Sequence, residues 1–173
     1  MDFNQAVALL SGTLQTLDPS GPKGFEGLIR DLLVELTGLS FGVAKSGPQG
    51  GSDVRSQGVN LFEVAMEAKR YKAGTSLSLD ALKAKVFETA SSHRCIDLWI
   101  LVATRQISIT DNEELTRTGT NLGVTVLVLD WPSQAGQLPD LAVLCAKAPE
   151  ALRRHLASAC PQLADTSARQ GKA

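Results

Sequence analysis

The sequence predicts an α/β domain in which a mixed sheet is flanked by helices. Three observations predict it. A strong helical stripe, residues 25–36, precedes a series of short strand-like segments. From residue 78 onward helical and strand-like patterns alternate, the order that builds parallel strands joined by right-handed crossover helices. The strand segments of that second half are near-continuous apolar runs, as expected of strands covered on both faces.

Each element has its own signal. Residues 2–16 place Phe3, Val7, Leu10 and Leu14 at helical spacing. The Pro- and Gly-dense stretch DPSGPKG, residues 18–24, ends that helix. FEGLIRDLLVELTG follows, with Phe25, Leu28, Ile29, Leu32, Leu33 and Leu36 forming the stripe and Gly38 the stop. Residues 39–46 read as a short strand, GPQGG as a turn, and SDVRSQ as a second extended piece. Gly58-Val59-Asn60 offers a hairpin turn into the strand LFEVAMEAKRY. Alternation there sets Phe62, Val64, Met66 and Ala68 on one face and Glu63, Ala65, Glu67 and Lys69 on the other.

A helix is predicted from Ser78, with Leu79, Leu82, Val86 and Phe87 as its stripe. CIDLWILVATRQI then reads as a buried strand. Thr110 and Glu113, at capping-box spacing, open a helix that ends near Gly123. GVTVLVLDWP is a further buried strand, and PDLAVLCAKAPEALRRHLASACPQL supplies one or two helices. Residues 1–160 are thus expected to form a single domain, and residues 161–173 a polar tail or truncated linker.

Composition narrows the function classes. The chain has 173 residues, 43% apolar and 20% charged, a globular balance with room for a core. A net charge of −1 provides no global field toward nucleic acid or membrane. Three cysteines without paired spacing argue against a disulfide framework or a zinc site. His93 and His155 lack ligand spacing. The first residues carry an acid and no basic region, and the longest apolar run is too short to span a bilayer. No membrane partner and a cytoplasmic location are expected.

The chemistry gathers around one acidic cluster. Glu67 and Lys69 are two residues apart and share a strand face. Asp53 sits at the start of the preceding extended piece, so a hairpin would bring it beside Glu67. Two carboxylates at a cleft make a hard oxygen site for Mg²⁺, completed by water and phosphate. Lys69 would orient water and stabilise a phosphoryl oxygen. The plain alternative is a solvated strand face, because short charge patterns recur by chance.

Other residues divide the same way. Arg70 and Lys72 form a basic patch for substrate phosphates, or a solvated strand end. Lys83 and Lys85 lie on the following helix, Lys83 toward solvent. GPQGG lacks the ending of a P-loop. Trp99 and Trp131 read as core.

These residues carry a resemblance. Gly24-Phe25-Glu26 at the helix start, Gly50-Gly51-Ser52-Asp53-Val54 at the turn and Glu67-Ala68-Lys69-Arg70-Tyr71 at the strand end resemble the PD-(D/E)xK nuclease superfamily. Within it they resemble the Mrr-like restriction endonucleases, over a core of about residues 24–131. Ser52 departs from the motif's Pro, and Glu67 keeps an acid where Mrr-like proteins often have Gln. The resemblance implies a restriction-endonuclease-like fold and a DNA endonuclease dependent on Mg²⁺ or Mn²⁺, acting in restriction or phage defence. It implies that Asp53, Glu67 and Lys69 are catalytic, with Asp53 and Glu67 on the metal, and an accessory acid that falls on Glu26. An acid there also suits the helix dipole. It further implies a homodimer or higher oligomer, formed directly or through a longer parent chain. The alternative is a module of the same fold that binds nucleic acid or protein without cleaving.

Overall fold

The computed structural model describes residues 2–43, 54–57, 62–72, 74–92, 96–133 and 137–157; for Phe3, Val43 and residues 54–57 it describes the backbone. Within them the chain runs α1 (Phe3–Thr16), α2 (Phe25–Thr37), β1 (Ser40–Val43), β2 (Val54–Gln57), β3 (Val64–Lys69) and α3 (Leu79–Ser92). It continues through β4 (Leu98–Ala103), α4 (Ile109–Asn121), β5 (Thr125–Leu129), α5 (Asp140–Lys147) and α6 (Pro149–Leu156). The predicted hairpin turn at 58–60, the GPQGG turn and the C-terminal tail lie outside the described residues.

Local signals explain the helix ends. Asp2 and Gln5 close a reciprocal capping box on α1: the Gln5 N–H donates to Asp2 Oδ1 at 2.8 Å and the Asp2 N–H to Gln5 Oε1 at 3.1 Å. α2 ends where expected. Gly38 adopts φ +70°, and its N–H donates to the Val34 carbonyl at 2.9 Å. The loop of residues 18–24 folds tightly over the start of α2. A Cβ on Gly27 would lie 2.1 Å from the Pro22 carbonyl oxygen, so only glycine admits this approach.

The strands form a mixed five-stranded sheet in the order β1-β2-β3-β4-β5. β1, β2 and β3 pair antiparallel; β3, β4 and β5 pair parallel. α3 and α4 are the crossovers between the parallel strands, as the alternating pattern predicted. Two apolar clusters lie on opposite faces of the sheet. One packs Val64, Met66, Ala68, Ile100 and Val102 against α1, α2, α5 and α6. The other packs Ala65, Trp99, Leu101 and Ala103 against Leu82 and Val86 of α3 and Leu115 of α4. No helix among the described residues is long and apolar enough to cross a membrane.

Five expectations need correcting. Leu36, read into the apolar stripe of α2, is 38% exposed; the buried face of that helix ends with Leu32 and Leu33. The N-cap of α4 is Ser108, not Thr110: its Oγ accepts the Asp111 N–H at 3.0 Å. Ile107, buried and held by its N–H to Asp130 Oδ2, anchors the chain just before this point, so the helix starts early. β5 is not buried. Among the described residues it pairs on one side, with β4, and Leu127 is 42% exposed; an edge position overrode its apolar composition. Phe62 precedes the strand instead of lying in it and is exposed. Phe87 is exposed as well, because the buried stripe of α3 runs Leu82, Val86 and Thr89, and a step of one residue turns the side chain about 100° away.

Candidate functional site

β3 is an interior strand, with β2 along one edge and β4 along the other. Its parallel register sets Ala65 beside Trp99, Glu67 beside Leu101 and Lys69 beside Ala103. Alternation along a strand therefore turns Ala65, Glu67 and Lys69 toward the face covered by α3 and α4. Glu67 is 1% exposed. A carboxylate so deeply buried costs several kcal/mol unless it is paired. The Lys69 ammonium supplies that pairing at Glu67 Oε1, and its side chain is still 36% exposed. The site thus reaches from the sheet interior to solvent through one ion pair.

β2 flanks this pair from the other edge, with Val54 opposite Met66 and Arg55 opposite Ala65. Asp53 lies outside the described residues. Glu26 stands in the first turn of α2, half-buried, and its Oε2 accepts the Gly21 N–H at 3.1 Å. It thereby ties the glycine-rich loop to the helix it precedes. Arg70 Nη1 donates to the Gln15 carbonyl at 2.8 Å, joining the end of β3 to the end of α1. That bond gives Arg70 a structural duty beside the phosphate contact expected of it. Lys72 is exposed.

Beyond the ends of β3 and β4 opens a cleft of about 620 Å³. Neither Glu67 nor Lys69 lines it; Tyr71, Lys72, Thr104 and Arg105 do. Thr104 Oγ1 accepts the Tyr71 N–H at 2.9 Å and donates to the Tyr71 carbonyl at 3.3 Å. The Arg105 guanidinium lies over the Tyr71 ring, 5.5 Å from its centroid. Burial pushes the Tyr71 hydroxyl above its ordinary value, against the lowering influence of Lys69 and Arg105. Lys83 bridges α3 to Glu114 of α4 at 2.7 Å, and Lys85 pairs with Glu88 at 3.1 Å.

A second polar cluster was not foreseen. His155 of α6, its side chain 5% exposed, meets Asp31 Oδ2 at 2.9 Å, and Arg30 Nε donates to Asp31 Oδ1 at 2.7 Å. One turn further along α2, Glu35 accepts the Ala151 N–H at 2.6 Å and the Glu150 N–H at 3.2 Å. Glu35 caps α6 in place of its own N-cap residue, Ala148, which has no side-chain oxygen. The available signal was a pair of acids four apart on α2 facing a helix with no cap of its own.

Among the described residues no group of three His, Cys, Asp or Glu side chains gathers at metal-binding distance. Cys145 is buried, its thiol pushed up to about 12. Trp99 is core, as expected, and Trp131 packs half-buried against the first cluster. His93, Cys95 and Cys160 lie outside the described residues. No protein-family model, curated protein or solved structure matches the chain.

Proposed function

We propose that the chain is a metal-dependent nuclease of the PD-(D/E)xK type, on a restriction-endonuclease-like core, that hydrolyses phosphodiester bonds in DNA. One observation carries the proposal: Glu67, 1% exposed on an interior strand, shares its face and an ion pair with Lys69. A buried ion pair is weak evidence for stability, since well-packed apolar residues often do as well. Its presence where apolar side chains would pack as readily supports a chemical use. The mixed sheet, with an antiparallel hairpin feeding a parallel half, agrees with the element order of that fold.

The donors suit a hard ion. Glu67 offers carboxylate oxygens, and Mg²⁺ is commonly held by one or two carboxylates with substrate phosphate and water. In this reading Asp53, the residue before Val54, is the second carboxylate. Mg²⁺ or Mn²⁺, when bound, supplies positive charge against the phosphate and acidifies water. Lys69 orients the attacking water and stabilises charge on the phosphoryl oxygens. Glu26 assists through a water, and Lys72 with Arg70 meets flanking phosphates. Two copies of the chain, each cutting one strand, make a double-strand break, in a restriction or phage-defence setting.

The second reading is a binding module that does not cleave. It is favoured by the same ion pair, which already satisfies Glu67 without a metal. Supercoiled plasmid separates the two. The nuclease reading expects nicking with Mg²⁺ or Mn²⁺ that EDTA abolishes, and that Lys69→Ala and Asp53→Asn abolish with circular dichroism unchanged. DNA binding without nicking selects the module; neither binding nor nicking rejects both.

A further inference from the structure

The cleft beyond β3 and β4 takes in Lys72, given a flanking phosphate above, and adds residues that the ion-pair site does not use. It is lined by Tyr71, Lys72, Thr75, Thr104, Arg105 and Asp111, among others. It opens at the carboxyl ends of the parallel strands β3 and β4. Its volume, about 620 Å³, lies within the range of small-ligand sites.

Three features of the lining point to one ligand chemistry. Lys72 and Arg105 supply two cations against the single acid, Asp111. The Arg105 guanidinium lies over the half-buried Tyr71 ring and offers a planar surface backed by that ring. The arrangement is fixed beforehand: Thr104 clamps the Tyr71 backbone through both its N–H and its carbonyl, and Arg105 Nη1 donates to the Thr75 carbonyl. An anion beside a flat aromatic group is the chemistry of a nucleotide, with phosphate taken by Lys and Arg and base stacked on Tyr or Arg.

We infer that this cleft is a nucleotide subsite, in which Lys72 and Arg105 hold the phosphate of one unpaired nucleotide of the substrate strand and Tyr71 with Arg105 stacks its base. The inference rests on the nucleic-acid reading above and adds a residue-level claim about the strand: a nucleotide near the one cut is splayed out of its stack. Tyr71 leads straight from Lys69 along the chain, so the subsite lies on the path from the proposed catalytic lysine.

Tyr71 is the sole tyrosine of the chain. Incorporation of 3-fluorotyrosine therefore places one fluorine signal at the cleft. The full chain is titrated in EDTA with a short single-stranded oligonucleotide, a nucleoside monophosphate and inorganic phosphate. A saturable shift with the first two, and a much weaker one with phosphate, is expected. Lys72→Ala and Arg105→Gln each weaken oligonucleotide binding roughly tenfold and lower its salt slope by about one; Lys147→Ala, exposed on α5, changes nothing. Lys72 is exposed, so its variant keeps the test valid should Arg105→Gln fail to fold. Equal shifts from phosphate and nucleotide overturn the stacking claim. A fluorine signal unmoved by oligonucleotide, with plasmid still nicked in a Lys69-dependent way, overturns the subsite and spares the nuclease. A moving signal without nicking spares the subsite and removes hydrolysis.

Discussion

Replacing Lys69 by methionine keeps the aliphatic stem and deletes the ammonium beside Glu67. The Glu67 side chain is 2% exposed and that of Lys69 is 36% exposed. Removing one partner of a fully buried pair costs about 3–5 kcal/mol. Here the Lys69 side chain is about one-third exposed and Glu67 has further interactions, so the cost falls to about 2 kcal/mol. Glu67→Gln keeps the shape and removes the charge, at about 1 kcal/mol. The double variant has no buried charge to strand, so it should cost less than the sum of the singles by about 1–2 kcal/mol. Urea unfolding at constant m-value measures all four corners of the cycle. In thermal melts a loss of about 2 kcal/mol corresponds to roughly 4–8 °C at this chain length. Single-variant costs that add within about 0.5 kcal/mol would show that the ammonium does not compensate the buried carboxylate, and the argument for a gathered site would fail with it.

Burial raises the Asp31 carboxyl, but hydrogen bonds from His155 and Arg30 outweigh it and hold the group below its ordinary value. Asp31 therefore contributes stability that is present above the unfolded value, near about pH 4, and is lost as pH falls through the lower folded value. Asp31→Asn should flatten the stability–pH curve in that acid range, and parallel curves would contradict it. Glu35→Ala strips α6 of its cap and should cost about 1–2 kcal/mol, with faster hydrogen exchange at the Glu150 and Ala151 amides. Gly119→Ala sets a Cβ 2.4 Å from Val126 Cγ2 and 2.7 Å from the Val124 carbonyl oxygen; it should cost about 1–3 kcal/mol in chemical denaturation despite the better helix propensity of alanine. In a Cys95→Ser/Cys160→Ser background, Cys145 should resist a thiol-disulfide reagent until the chain unfolds, since its thiol is pushed up to about 12.

What was legible in the sequence was local. The apolar stripe of α2 and the turn at Gly38 depend on residues within a few positions, so periodicity and backbone chemistry determine them. The alternation from β3 to β5 was readable because each segment carries its own period. Even within this range, the start of α4 and the exposure of β5 went astray, because an anchored Ile107 and an edge position are set by distant neighbours.

The candidate site shows the same division. Alternation alone put Glu67 and Lys69 on one face of a strand, from residues two apart. Whether that face meets water or a helix layer depends on α3 and α4 crossing over it, and only the folded chain decided that Glu67 is buried. The ties that hold the surroundings are longer still: Arg70 to Gln15 across 55 positions, Glu35 to Ala151 across 116, His155 to Asp31 across 124. Side-chain contacts at such separations leave no periodic trace, because their partners are set by how helices dock and not by what lies beside them in the chain.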